Sequence, residues 1–203
     1  MARPLESQQP RSPRRTRAPP PAPRPSPSLA GGPFVALDFE TADRGRDSAC
    51  AIGLVRVEDG RIVRRERRLI RPPRRDFEFT WVHGLRWEDV AAEPPFRDVW
   101  RDLQPALEGA AFLAAHNAGF DRGVLHAACA AARLAPPALP FECTMRLARR
   151  LWALYPTRLP DVCAHLRIPL RHHDALSDAE ACARIVIAAA EQTARGAHAG
   201  QRP

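Results

Sequence analysis

The chain has 203 residues and a formal charge of +8, with 31 basic residues that are all arginine. That length accommodates one ordinary domain with a sizeable core, and a second full domain is excluded. Residues 1–31 hold six arginines against Glu6, so five of the eight net positive charges belong to that segment and the remainder is nearly balanced. The charge therefore argues only weakly for a polyanion partner of the folded body. Five scattered cysteines with no CxxC pair exclude a disulfide framework or a zinc site and point to reduced, buried thiols. Arginines near the N-terminus lack a following apolar run, and no window approaches the about 20 apolar residues that span a bilayer. A soluble cytoplasmic protein without a membrane partner is the expectation.

Residues 1–32 carry nine prolines and few large apolar groups. Such a segment cannot bury enough surface to offset the entropy of ordering, so a disordered Arg/Pro-rich tail is expected, either a basic tether or a segment without a role. From Pro33 the pattern changes. FVALDF and ACAIGLVRVEDG read as two strands, and the EDGR turn leads into a third ending at RLIRP, an antiparallel meander. PPFRDVWRDLQPALEG has helical periodicity, with Pro105 placed to kink or shorten it. AAFLAAHN reads as a short buried parallel strand followed by the helix GFDRGVLHAACAAARL. LPFECTMRLARRLWALY predicts another short strand and a helix, LPDVCAHLRI a small helix, and SDAEACARIVIAAAEQTARG a long final one. The class is α/β: a mixed sheet, antiparallel meander plus parallel strands, with helices packed on it.

The chemistry is concentrated at the end of the first strand. Side chains alternate faces along a strand, so Asp38 and Glu40 in FVALDFET point the same way, roughly 6.5–7 Å apart at Cα. Like charges that close raise each other's pKa unless a cation separates them, and oxygen ligands favour a hard ion, Mg²⁺ or Mn²⁺. Further ligands must come from elsewhere. Asp121 follows an apolar strand at a strand–helix junction, where open α/β sheets build sites. Asp178 opens the last helix, a position that the helix dipole favours with or without a ligand. Either His172 or His173 could act as a general base beside such a centre.

Taken together, DFET, HNAGFD and HDALSD resemble the three motifs of the DnaQ-like (DEDDh) 3′→5′ exonucleases, whose members include the proofreading epsilon subunit of bacterial DNA polymerase III, RNase T and oligoribonuclease. The resemblance runs from about Pro33 to about Ala190. The family's H-x-A-x-x-D reads here as His173, Ala175 and Asp178, which selects His173 and leaves His172 a neighbour. VHGLRWEDV resembles the family's HGI-type segment around His83. CTMRLAR resembles a segment that usually reads D-T-x-x-L-A-R, with Cys143 standing where aspartate is common.

The resemblance implies a ribonuclease H-like fold over residues 33–190, followed by a flexible tail over 191–203. It implies that Asp38, Glu40, Asp121 and Asp178 hold two divalent cations, Mg²⁺ or Mn²⁺, that His173 deprotonates the attacking water, and that nucleoside 5′-monophosphates are released from a 3′ end. Phe39, Thr41, His83, Asn117 and Phe120 are the implied substrate-binding residues, with Phe39 equally readable as core. Of the four tryptophans, Trp81 in a predicted loop beside His83 is the one to test for base stacking, and the others read as packing. The implied partner is single-stranded or 3′-terminal nucleic acid, DNA favoured, in repair or proofreading. The chain would be a monomer or homodimer. A proofreading subunit active only with a DNA polymerase, and a non-catalytic nucleic-acid-binding module, are the competing readings.

Overall fold

The computed structural model describes residues 32–199, so the expected N-terminal tail lies almost wholly outside the described residues, as do residues 200–203. Strands β1 (Phe34–Thr41), β2 (Ala49–Glu58) and β3 (Arg61–Leu69) form the antiparallel meander. The β2–β3 turn is built on Asp59 and Gly60, both at positive φ (48° and 72°), the Asp-Gly pairing that matches strand twist in a two-residue hairpin. Two helices of four residues, α1 (Thr80–His83) and α2 (Trp87–Val90), lie in the connection to α3 (Phe96–Leu103). The sequence shows neither, because one helical turn is too short to display periodicity. Pro105 shortens the next helix as expected: α3 stops at Leu103 and the chain tightens into a 3₁₀ turn over Gln104–Leu107.

Strand β4 (Leu113–Ala115), α4 (Gly119–Ala131), β5 (Phe141–Cys143), α5 (Thr144–Trp152), α6 (Leu159–Leu166) and α7 (Ala175–Ala199) complete the described residues. The sheet order is β3-β2-β1-β4-β5, with β4 parallel to both β1 and β5. Helix α7 runs three residues past the helix expected to Gly196, and so into the tail expected over 191–203. Glu191, Gln192 and Ala194 favour helix, and the Thr193 hydroxyl donates to the Ala189 carbonyl.

Central β1 is covered on both faces, which explains its nearly continuous apolar run. Val35, Leu37 and Phe39 pack with Ile52 and Leu54 against Trp100 and Leu103 of α3 and Val124 and Leu125 of α4. Phe34 and Ala36 face the other way, with Val55 and Val57, onto Ala179, Cys182, Ile185 and Val186 of α7 and Leu147 of α5. All five cysteines are buried and unpaired, as expected. No helix among the described residues is long and apolar enough to cross a membrane.

The start of α7 rests directly on β2. Gly53 pairs with Asp38 across the β1–β2 ladder, and a Cβ there would drive into the Ala175 carbonyl group. That carbonyl is backbone and cannot rotate away. Gly53→Ala is therefore expected to destabilise the fold by about 3 kcal/mol, the upper end for overpacking, and to displace Asp178, three residues after Ala175. Urea denaturation together with nuclease assay tests this; native stability with full activity would contradict it.

Candidate active site

Alternation along β1 sends Asp38 and Glu40 toward α7, on the side of Phe34 and Ala36. The ladder shifts register between Glu40 and Thr41, where the strand bends away at the rim of the site. Asp178 arrives from the first turn of α7, and ligand oxygens of Asp38, Glu40 and Asp178 all lie within 4.8 Å of one another. Asp121, in the first turn of α4, is 1% exposed and accepts a hydrogen bond from the Phe39 amide at 3.2 Å. This bond ties the second motif to the strand carrying the first pair.

The cluster is electrostatically overloaded. Burial, then the charges of Asp121, Asp178 and Glu40, hold the Asp38 carboxyl well above the usual range. Burial followed by Asp178 and Asp121 pushes Glu40 to about 8. Asp121 is raised by burial to about 7, against amide hydrogen bonds that favour its charge. Asp178 is raised by burial, partly offset by the His173 N–H and by His172. Asp178 Oδ2 accepts both the His173 amide (3.1 Å) and the His172 Nδ1–H (2.9 Å), whereas its Oδ1 is buried without a hydrogen-bond partner among the described residues. Converging carboxylates that resist ionising and an orphaned buried oxygen fit a hard divalent cation.

His172 is thus more than a neighbour. Its ring contacts Asp178 and stacks on His173 with centroids 3.8 Å apart, while His173 contacts Asp178 through its backbone at a positive φ of 67°. Burial, then the adjacent His172, keeps the His173 imidazole below its usual pKa and so neutral at pH 7. The sequence offered HH without a means of telling which ring meets the acid.

The remaining sequence-predicted residues separate. His83 accepts the Leu85 amide on Nδ1 (3.1 Å), so Nε2–H donates to the Thr41 carbonyl (3.2 Å), which locks a neutral ring beside the β1 terminus. Thr41 itself is buried. Asn117 is exposed at φ 62° in the turn before α4, and Phe120 is 38% exposed beneath the Arg46 guanidinium, 5.5 Å from its ring centre. Of the two readings of Phe39 the structure has the core one: its ring is 3% exposed under α3 and α4, on the face opposite Asp38, and its backbone N–H reaches Asp121. Trp81 stands on α1, not in a loop, and is 83% exposed.

His116, expected from the sequence to shape the turn before Asp121, reaches beyond that turn. His116 Nε2–H donates to the Thr157 carbonyl, leaving Nδ1 to accept the Thr144 hydroxyl, both at 2.8 Å. This pins the turn after β4 to α5 and to the segment entering α6. The signal was present in HNAGFD and CTMRLAR, but their contact spans 28 residues and cannot be read locally.

Two clefts flank the acids. One, of about 440 Å³, is bounded by Glu40, Arg67, Trp81, His83, Arg171 and His173. The other, of about 610 Å³, is bounded by Asp38, Asn117, Arg149, Tyr155, Arg158 and Asp178. His172 borders both.

A five-stranded mixed sheet in this order, with helices on it and acids gathered at one end of β1, has the ribonuclease H-like exonuclease architecture. Residues 35–186 match the family described as Exonuclease, RNase T type, and the chain belongs to that family. It is 37% identical over 149 residues to exodeoxyribonuclease 10 of Escherichia coli K12, covering 67% of this chain and 59% of that protein. It is 32% identical over 167 residues to the PolC-type DNA polymerase III of Thermotoga petrophila, covering 79% of this chain but 12% of the polymerase. The chain thus spans less than two thirds of either relative. Among solved structures, exonuclease X in complex with 5′ overhanging duplex DNA aligns with a TM-score of 0.65 at 27% identity, over 79% of this chain and 93% of that one. The nuclease domain of 3′hExo, a DEDDh family member bound to rAMP, aligns with a TM-score of 0.66 over 77% of this chain and 90% of that one, and at 17% identity it shares the fold.

Proposed function

We propose that this domain is a 3′→5′ exonuclease that removes nucleoside 5′-monophosphates stepwise from the 3′ end of a nucleic acid, with DNA the favoured substrate. The observation that carries this reading is the convergence of Asp38, Glu40 and Asp178 within 4.8 Å, with Asp121 tied to the same strand and the His172–His173 pair on Asp178. Family membership supports hydrolysis, and the names exodeoxyribonuclease 10 and DNA polymerase III support DNA and a setting in repair or proofreading. A non-catalytic binding module would have no use for four carboxylates that oppose one another's ionisation.

Asp38, Glu40, Asp121 and Asp178 would hold two divalent cations, Mg²⁺ or Mn²⁺. Bound there, the cations would offset the carboxylate charge and stabilise negative charge on the phosphate. His173, neutral at pH 7, takes the proton from the attacking water. His172 fixes the Asp178 carboxylate through Nδ1–H and braces the His173 ring by stacking. His83 and Asn117, which line the two clefts, would border the 3′-terminal nucleotide, with Thr41 beneath His83 and Phe120 beside Asp121, and Arg67, Arg149 and Arg171 would supply guanidinium groups for the phosphates.

The test is Mg²⁺-dependent digestion of 5′-labelled single-stranded DNA and RNA of one sequence. A stepwise ladder, faster on DNA, is expected. His173→Ala should slow it about 10²–10⁴-fold, the range for loss of a general base, and His172→Ala by a smaller factor. Intact substrates with both Mg²⁺ and Mn²⁺ would shift the assignment to a binding module or to a subunit requiring its polymerase, and a larger loss in His172→Ala would transfer the base role to that residue.

A further inference from the structure

A single exposed aromatic ring needs no explanation, but several gathered around one site point to a partner. Among the described residues the exposed large hydrophobic side chains are Val63, Trp81, Phe120 and Tyr155. The three aromatic ones belong to segments that bound the acidic site. Trp81 is two residues from His83 and borders the cleft that contains Glu40. Phe120 immediately precedes Asp121. Tyr155, 89% exposed, borders the opposite cleft with Asp38 and Asp178.

Neither Trp81 nor Tyr155 sits on a fraying end. The turn of α1 is held by the Thr80 hydroxyl on the Leu85 carbonyl (2.7 Å) and by His83 on Thr41. Beyond Tyr155, Thr157 is held twice, its carbonyl by His116 (2.8 Å) and its hydroxyl by Arg149 Nε (2.9 Å). The flanking segments are fixed while the rings face water. Each ring also shares its cleft with arginines, Arg67 and Arg171 beside Trp81, Arg149 and Arg158 beside Tyr155. Phe39, the aromatic of the first motif, is buried in the core and cannot present a ring to a base.

An aromatic face with adjoining guanidinium groups, repeated on both sides of a cleft, is the chemistry that holds single-stranded nucleic acid: bases stack on rings and phosphates pair with cations. A paired, stacked duplex offers no free base face along its length. We propose that Trp81 and Tyr155 each stack one base of the unpaired strand that the family resemblance implies, the scissile phosphate lying between them over Asp38 and Asp178. The assignment rests on the exonuclease reading and adds two specificity-determining residues to it.

Steady-state kinetics of the full chain with Mg²⁺ on three substrates tests it: a short single-stranded DNA, the same sequence as a blunt duplex, and thymidine 5′-(4-nitrophenyl) phosphate, which has no neighbouring base. Of Trp81→Ala and Tyr155→Ala, the one that removes the ring under the base on the leaving-group side is expected to raise KM for the single strand about tenfold more than for the mononucleotide ester. The one that removes the ring under the 3′-terminal base should raise KM for both, each effect being the loss of one stacked base. Trp81→Phe and Tyr155→Phe should recover most of that loss, because the ring face and not the N–H or O–H carries the contact. The wild-type chain should prefer the single strand to the blunt duplex. Unchanged KM in both alanine variants, a loss shared equally by the ester in both of them, or faster cleavage of the duplex would overturn the proposal while leaving the exonuclease reading in place. A wild-type chain inert toward the ester and both DNAs would sink the exonuclease reading, and this assignment with it.

Discussion

Asp38→Asn is expected to abolish nucleotide release while raising the melting temperature of the metal-free protein. Asp38 lies at the centre of the acidic cluster, opposed by Asp121, Asp178 and Glu40 and raised above all by burial. The amide keeps the volume and removes a charge that the fold disfavours when no cation is bound. Nucleotide release should fall at least about 10³-fold, the upper end for loss of one charge-stabilising group. Each kcal/mol of relieved repulsion should appear as about 2–4 °C in Tm for a chain of this size. Calorimetry with and without Mg²⁺ separates the effects: the parent protein gains stability on adding the ion, by about 2.7 kcal/mol at a hundredfold excess over Kd, and the variant loses that response. Retained activity, or a lower Tm in EDTA, would contradict the assignment of Asp38.

The second large effect is in pH. In EDTA, stability should fall as pH rises from about 6 to about 8. Glu40 holds its proton up to about 8 and Asp121 up to about 7, both above the ordinary carboxylate range near 4. A carboxyl that binds its proton more tightly when folded contributes stability fully below its unfolded pKa, and that contribution is lost as pH passes the folded value. The loss therefore runs from the unfolded values near 4 up to the folded values of about 7 and 8, is complete near pH 8, and amounts to a few kcal/mol. His83, His116 and His173, kept neutral chiefly by burial, act in the opposite direction, but their contribution is complete above their unfolded pKa near 6.5. Mg²⁺ should reverse the trend, since metal ligands must be deprotonated and its affinity grows with pH. Denaturant melts at several pH values, in EDTA and in Mg²⁺, provide the measurement; a flat or rising EDTA curve would show that the carboxylates do not interact as the geometry requires.

The order of the elements and the acidic pair were legible in the chain because they depend on local rules. A two-residue alternation places Asp38 and Glu40 on one face of β1, Asp-Gly at positions 59 and 60 makes the hairpin, Pro105 ends α3, and the spacing from His173 to Asp178 locates the last motif. These are effects of neighbours on neighbours, and they survive without a fold.

What the tertiary structure decided is which of those groups meet, and in what surroundings. Asp121 reaches the Phe39 amide across 82 residues, and Asp178 reaches Asp38 only because Gly53 lets the start of α7 rest on β2. Which imidazole contacts Asp178, whether the Phe39 ring enters the site or the core, and that Trp81 and Tyr155 face water beside the acids all depend on burial. The raised pKa values of the carboxylates belong to the same level, since desolvation is the largest cause for each of the four. Burial is a property of the packed molecule: it is set by surfaces that come together from distant parts of the chain, and no window of sequence contains them.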